Sequence, residues 1–135
     1  MIVEEVMSPS PYVAQVTDSV GKALRMLSEA DIRHLPVVGE GELLGIVSDR
    51  DLRGVTPALL TEIEPAEIQR LLAQPIVSLM SSDVVSVNPE TELAEAIDLM
   101  LENKIGALPV VEADSARVVG IVSYVDILRA LRNQA

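Results

Sequence analysis

Two short stretches carry the residues best suited to holding a small polar ligand: 45-GIVSDRDL-52 and 120-GIVSYVDI-127. Each has a serine followed three residues later by an aspartate, Ser48 with Asp51 and Ser123 with Asp126. An apolar run ending in Ser-x-x-Asp reads as a strand that finishes where a helix begins. The first N–H groups of a helix lack partners and carry partial positive charge, which suits an anion. The aspartate falls on the same side of the first turn. Its carboxylate can accept from a vicinal diol while the serine hydroxyl and the N–H groups hold a phosphate, and a ribose phosphate presents both. The same pattern is also an ordinary helix start, with serine as N-cap and a carboxylate near the positive end of the dipole. One copy at a time, both readings stand.

Other reactive residues are sparse. His34 is the sole histidine, and a lone histidine is more often packed than a ligand. Asp49 and Asp51 flank Arg50 without a histidine or third carboxylate at metal spacing, so no metal site is expected. The acidic stretches 40–42 and 62–67 read as solvated faces, and the methionines as core. There is no cysteine, which excludes disulfides, thiol catalysis and a cysteine-based zinc site. No nucleophile–base pair, phosphate-binding glycine loop or dinucleotide fingerprint occurs, so no residue is assigned a catalytic role and no enzyme is expected.

Ten Lys and Arg against 21 Asp and Glu give a net charge of −11, which argues against a nucleic-acid partner. The N-terminal MIVEEVMSPSPY is acidic and proline-rich where a secretory signal would be basic and apolar. Apolar runs of about five residues fall far short of the roughly 20 that span a bilayer. No membrane partner is expected, and the chain reads as cytoplasmic.

The elements that must position the two Ser-x-x-Asp pairs come from a duplication. At an offset of 73, Met7 falls on Met80, Ser8 on Ser81, Ala23 on Ala96, Leu24 on Ile97, Ile32 on Ile105, and 35-LPVV-38 on 108-LPVV-111. The next tip, 39-GEGE-42 against 112-EADSAR-117, is two residues longer in the second copy, and beyond it GIVS aligns with GIVS. A hairpin tip tolerates such an insertion. Each copy predicts a strand (12–16; 84–87), then a helix with apolar residues at helical spacing (Val20, Ala23, Leu24, Leu27; Leu93, Ala96, Ile97, Met100). Ser19 is the expected N-cap of the first helix, and the second should start near Thr91 or Glu92. A hairpin of LPVV and GIVS strands and a second helix (49–53; 125–132) complete the unit.

The fold class is therefore α+β: two β-α-β-β-α repeats packed through their sheets with pseudo-two-fold symmetry. Their bounds are residues 1–56 and 76–135, with a linker over 57–75. A single unit of about 50 residues would leave its sheet badly covered, and pairing two solves this. Hydrophobic residues make up 49% of the chain but aromatics 1%, so the core must be aliphatic. In the linker, Pro65 opens a helix striped by Ile68, Leu71 and Leu72. That helix either docks on its own module or contributes to a dimer interface.

Met-Ser at the start of each copy, Leu-Pro-Val-Val, and Gly-Ile-Val-Ser-x-x-Asp, in this order in both copies, resemble the tandem CBS (cystathionine-β-synthase) domain pair, or Bateman module. The resemblance runs from about Val6 to Arg132. The long inter-repeat segment is similar to that of small stand-alone bacterial CBS-pair proteins, including ones associated with acetoin utilisation. The resemblance implies clefts between the repeats that bind adenosyl ligands, namely AMP, ADP, ATP or S-adenosylmethionine. It assigns phosphate and ribose to Ser48 and Asp51, and to Ser123 and Asp126. It assigns adenine to Tyr12, Ile32, Arg33 and His34 in the first copy and to Val85, Ile105, Gly106 and Ala107 in the second.

The resemblance further implies a homodimer formed through the repeat helices and a separate regulated protein. No cofactor is required, and magnesium would enter only with a bound triphosphate. The alternative is a structural or oligomerisation module whose clefts stay unoccupied. The copies differ in charge around their motifs. Arg33, His34, Arg50 and Arg53 in the first face Gly106, Ala107, Val125 and Leu128 in the second. A polyphosphate is therefore expected to favour the site that includes Ser48, Arg50 and Asp51.

Overall fold

The computed structural model describes residues 1–53 and 64–134; residues 54–63 of the expected linker and the Arg53 side chain lie outside the described residues. In chain order the elements are β1 (Ser8–Pro9), β2 (Ala14–Gln15), α1 (Val20–Ala30), β3 (His34–Gly39), β4 (Glu42–Ser48) and α2 (Asp49–Arg53). There follow α3 (Pro65–Ala73), α4 (Leu93–Asn103), β5 (Ala107–Val111), β6 (Val118–Ser123) and α5 (Tyr124–Gln134). Short 3-10 turns occupy Val3–Glu5 and Ile76–Ser78. The result is the expected α+β class, with two three-stranded sheets of order β1-β6-β5 and β2-β3-β4.

The helices form where apolar spacing required them. α1 buries Val20, Ala23 and Leu27, and α4 buries Leu93, Ala96 and Met100. The Ser19 side chain caps α1 by accepting from the Lys22 N–H at 3.2 Å, and Glu92 is the N-cap residue of α4. Each helix ends on a left-handed residue, Asp31 at φ 53° and Lys104 at φ 55°. The next residue turns back, Ile32 N–H donating to the Leu27 carbonyl at 3.0 Å and Ile105 N–H to that of Met100 at 3.1 Å. This turn closes the helix and launches β3 or β5.

Two of the expected strands are shorter than their sequence pattern. The stretch over 12–16 contributes only Ala14–Gln15, and 84–87 contributes a single bridge, Val87 to Val110. Prolines lie close to both, Pro9 and Pro11 before the first and Pro89 after the second, and proline donates no ladder bond. β3 and β4 join through Glu40 and Gly41, both at positive φ (53° and 83°), the backbone of a tight hairpin.

The chain divides into two packed units that do not follow sequence order. Unit 1 comprises Met1–Pro11, Gly41–Leu43 and Val85–Ala135; unit 2 comprises Tyr12–Glu40 and Leu44–Val84. Each unit thus joins the leader of one repeat to the body of the other. In unit 1, Leu93 N–H donates to the Met1 carbonyl at 2.8 Å, Val3 N–H to that of Thr91 at 2.9 Å, and β1 runs antiparallel beside β6. In unit 2, Val20 N–H donates to the Gln74 carbonyl at 2.8 Å, Ile76 N–H to that of Asp18 at 2.9 Å, and Ser81 bridges Ile46. The leaders carry the Met-Ser signature, so that signature marks the segment each body receives.

Each unit has its own aliphatic core. In unit 2 it gathers Ala14, Val20, Leu27, Leu35, Val37, Val47, Leu52 and Ile76. In unit 1 it gathers Val3, Val87, Leu93, Met100, Leu108, Val110, Val122 and Ile127. The linker helix α3 packs against α1. A Cβ on Gly21 would stand 3.2 Å from the Leu72 carbonyl oxygen, so the absent side chain permits this approach.

Candidate functional site

In unit 2, parallel pairing of β2 with β3 sets Ala14 opposite Val37. Tyr12 lies two residues before β2 and His34 opens β3, so both precede the paired stretch at the same end of the sheet. The hairpin returns β4 to that end, where Ser48 finishes the strand. The Asp49 N–H donates to the Arg33 carbonyl at 2.9 Å, tying the start of α2 to the entry of β3. Unit 1 repeats the arrangement. Val87 bridges Val110 in parallel, and the Tyr124 N–H donates to the Gly106 carbonyl at 3.0 Å.

At each end the serine and aspartate bond to each other. The Ser48 N–H donates to Asp51 Oδ2 at 3.0 Å, and the Asp51 N–H donates to Ser48 Oγ at 3.1 Å. The Ser123 N–H donates to Asp126 Oδ2 at 2.9 Å, and the Asp126 N–H donates to Ser123 Oγ at 3.2 Å. Both pairs are therefore reciprocal capping boxes. The capping role is real in both copies and leaves the ligand role open, because it engages one carboxylate oxygen and fixes the rotamer of the other.

The copies then diverge. Ser123 Oγ also donates to Asp126 Oδ2 at 3.0 Å, and Arg129 Nη1 approaches Asp126 Oδ1 at 3.9 Å. The Asp126 side chain keeps 12% of its exposure, whereas Asp51 is exposed. Sequence reading missed Arg129 and Tyr124. Arg129 is signalled by its i,i+3 spacing from Asp126 on one helix face, and Tyr124 by being one of two tyrosines in a chain without Phe or Trp.

The remaining predicted residues fall as follows. Arg33 and Arg50 are exposed, while Ile32 is half-buried against the core of unit 2. Half-buried His34 is held below its usual pKa by burial, partly countered by the Asp49 and Asp51 carboxylates, with Arg33 acting in the same direction as burial. Val85 packs against the core of unit 1, Ile105 is 36% exposed, and Gly106 lends its carbonyl to Tyr124. Ala107 is 3% exposed and belongs to the core. Among the described residues no group of three or more His, Asp or Glu is arranged to hold a metal.

A family model described as the CBS domain matches residues 3–56 and 76–133. The chain belongs to the CBS-domain family. It is similar to the CBS domain pair of protein MJ0100, solved in complex with 5′-methylthioadenosine and S-adenosyl-L-methionine. Identity is 28% with a TM-score of 0.82, covering 100% of this chain and 98% of that one. It is similar to CBSX2, solved in complex with AMP, at 31% identity and a TM-score of 0.81, covering 99% and 98%. A Vibrio cholerae protein named for acetoin utilization (AcuB) is 32% identical with a TM-score of 0.80, covering 99% and 92%. The CBS repeats of this chain thus follow the tandem order expected from their motifs.

Proposed function

We propose that this CBS pair is a non-catalytic regulatory module that binds adenosyl ligands at the Ser-x-x-Asp ends of its two sheets and transmits their occupancy to a separate protein. The observation that carries this reading is the position of both serine–aspartate pairs. Each is clamped by a capping box and held by a backbone bond beside the residues that enter β3 or β5. A carboxylate already locked in one rotamer loses little freedom on accepting a ribose diol. The nucleoside ligands in similar solved pairs support the same chemistry.

Sequence bounds of 1–56 and 76–135 for the repeats belong to this reading, as does a cytoplasmic location. So does magnesium arriving only with a triphosphate. A homodimer is supported by an apolar stripe on α5, where Val125, Leu128 and Leu131 are 44%, 59% and 50% exposed, with Leu101 on α4 at 71%. The same stripe is what would favour an oligomerisation module with unoccupied sites.

Calorimetry and thermal shift with AMP, ATP, S-adenosylmethionine and NADH test the proposal. A bound ligand at 100 times its Kd stabilises by about 2.7 kcal/mol. Asp51→Asn and Asp126→Asn each remove an acceptor worth about 1.5–3 kcal/mol, weakening binding at the affected site about 10- to 150-fold. Their folding cost stays near 1 kcal/mol, the worth of a cap. No shift with any ligand would leave the oligomerisation module as the function.

A further inference from the structure

The chain has two aromatic residues, and neither serves a core. Tyr12 is 63% exposed and Tyr124 is 47% exposed. Both cores close with aliphatic side chains alone, so packing does not explain either ring. Tyr124 directly follows Ser123 and is tied through its N–H to Gly106 at 3.0 Å. The residue that makes the matching bond in unit 2 is Asp49, to Arg33 at 2.9 Å. The same position is aromatic in one unit and anionic in the other.

The surroundings follow this contrast. Unit 2 has Arg33 and Arg50 exposed, and among the described residues neither forms an ion pair. Six of the ten Lys and Arg residues belong to unit 2, leaving Lys104, Arg117, Arg129 and Arg132 to unit 1. Unit 1 also holds 11 of the 21 acidic residues, so its local field repels added negative charge more strongly. Arg129, one turn along the same helix, is turned toward Asp126. The hydroxyl of Ser123 is donated to Asp126, whereas Ser48 Oγ makes no such bond to Asp51. A phosphate arriving beside Ser123 would find that serine's hydroxyl already donated and the Arg129 guanidinium turned toward Asp126.

Resting on the adenosyl reading above, we propose that the two ends take chemically different adenosyl ligands. The unit 1 end, with Tyr124 as an aromatic platform, takes one without a phosphate tail, a neutral or sulfonium nucleoside. The unit 2 end, with Arg33 and Arg50, takes one that carries phosphates. A sulfonium gains from the negative face of a tyrosine ring, and a phosphate gains from guanidinium forks.

Calorimetry on the full chain and two variants, with ATP and S-adenosylmethionine as probes, decides the matter. Arg50→Val should weaken ATP about 10-fold or more while leaving S-adenosylmethionine within about two-fold. Tyr124→Ala should weaken S-adenosylmethionine about 2- to 30-fold, the range for losing a cation–π contact, and leave ATP in place. With no tryptophan present, S-adenosylmethionine should also change the tyrosine emission of the wild type and not that of Tyr124→Ala. Equal effects of either substitution on both probes, or an unchanged S-adenosylmethionine affinity in Tyr124→Ala, overturns the division while the adenosyl reading survives. Binding of neither probe by the wild type overturns the adenosyl reading itself.

Discussion

Met80 lies across Gly45, its Sδ 2.6 Å from where a Cβ on that glycine would stand, and Met7 lies across Gly120 at the same 2.6 Å. The two parts of the repeated signature, Met-Ser and Gly-Ile-Val-Ser, are thus opposite faces of one contact, made twice. Each methionine comes from the leader of one repeat and each glycine from the body of the other.

A side chain at either glycine should loosen the leader. In Gly45→Ala the new methyl meets the Ser81 carbonyl oxygen at 2.9 Å, and in Gly120→Ala it meets that of Ser8 at 3.1 Å. The methionine ends can swing away, but these backbone oxygens cannot. Each substitution should cost about 1–3 kcal/mol, with Gly45→Ala the more severe, measured by urea unfolding. Retained stability in both would mean the leaders are not held by this contact.

His34 gives stability a pH dependence of known sign. Burial lowers its pKa, with Asp49 and Asp51 opposing part of the effect. The folded chain therefore binds this proton less readily than the unfolded chain, and stability rises with pH. The contribution is full above the ordinary histidine pKa of about 6.5 and is lost as pH falls through the lowered folded value. Between about pH 7.5 and pH 5.5 the urea midpoint of the wild type should fall more steeply than that of His34→Gln. Parallel slopes would place the acid sensitivity elsewhere.

The left-handed helix ends offer a gain. Lys104 and Asp31 hold φ of 55° and 53° at matched positions of the two repeats. A residue with a Cβ pays about 1–2 kcal/mol there, which glycine avoids and aspartate partly offsets by local hydrogen bonding. Lys104→Gly should raise stability by about 1 kcal/mol and Asp31→Gly by less. The ranking is read from their denaturation midpoints, and a loss in Lys104→Gly would show that its side chain contributes more than the strain costs.

Much of this was legible from residue order. The repeat, at an offset of 73 through Leu-Pro-Val-Val and of 75 beyond the hairpin tip, marked the helices, those strands and both serine–aspartate pairs, because periodicity and capping are local properties of a few neighbouring residues. The strands expected over 12–16 and 84–87 are cut short, since their apolar pattern competes with nearby prolines that cannot join a ladder. The capping boxes were visible as one of two readings, but the extra Ser123 bond to Asp126 and the approach of Arg129 were not. Matching motifs in sequence do not reveal that, among the described residues, Asp126 gains contacts which Asp51 lacks.

What the chain determined by itself is the unit: an aliphatic helix–strand module written twice, each copy bearing a leader, a glycine gap to receive one, and a Ser-x-x-Asp turn. What tertiary structure decided is which leader fills which gap. Met7 and Met80 are the same residue type in the same context, so either could complement either glycine, and local chemistry cannot choose. The choice falls to packing of the whole chain, which seats Met1–Pro11 with Val85–Ala135 and Leu44–Val84 with Tyr12–Glu40. In that arrangement Val3 joins the core of unit 1 and Ile76 the core of unit 2.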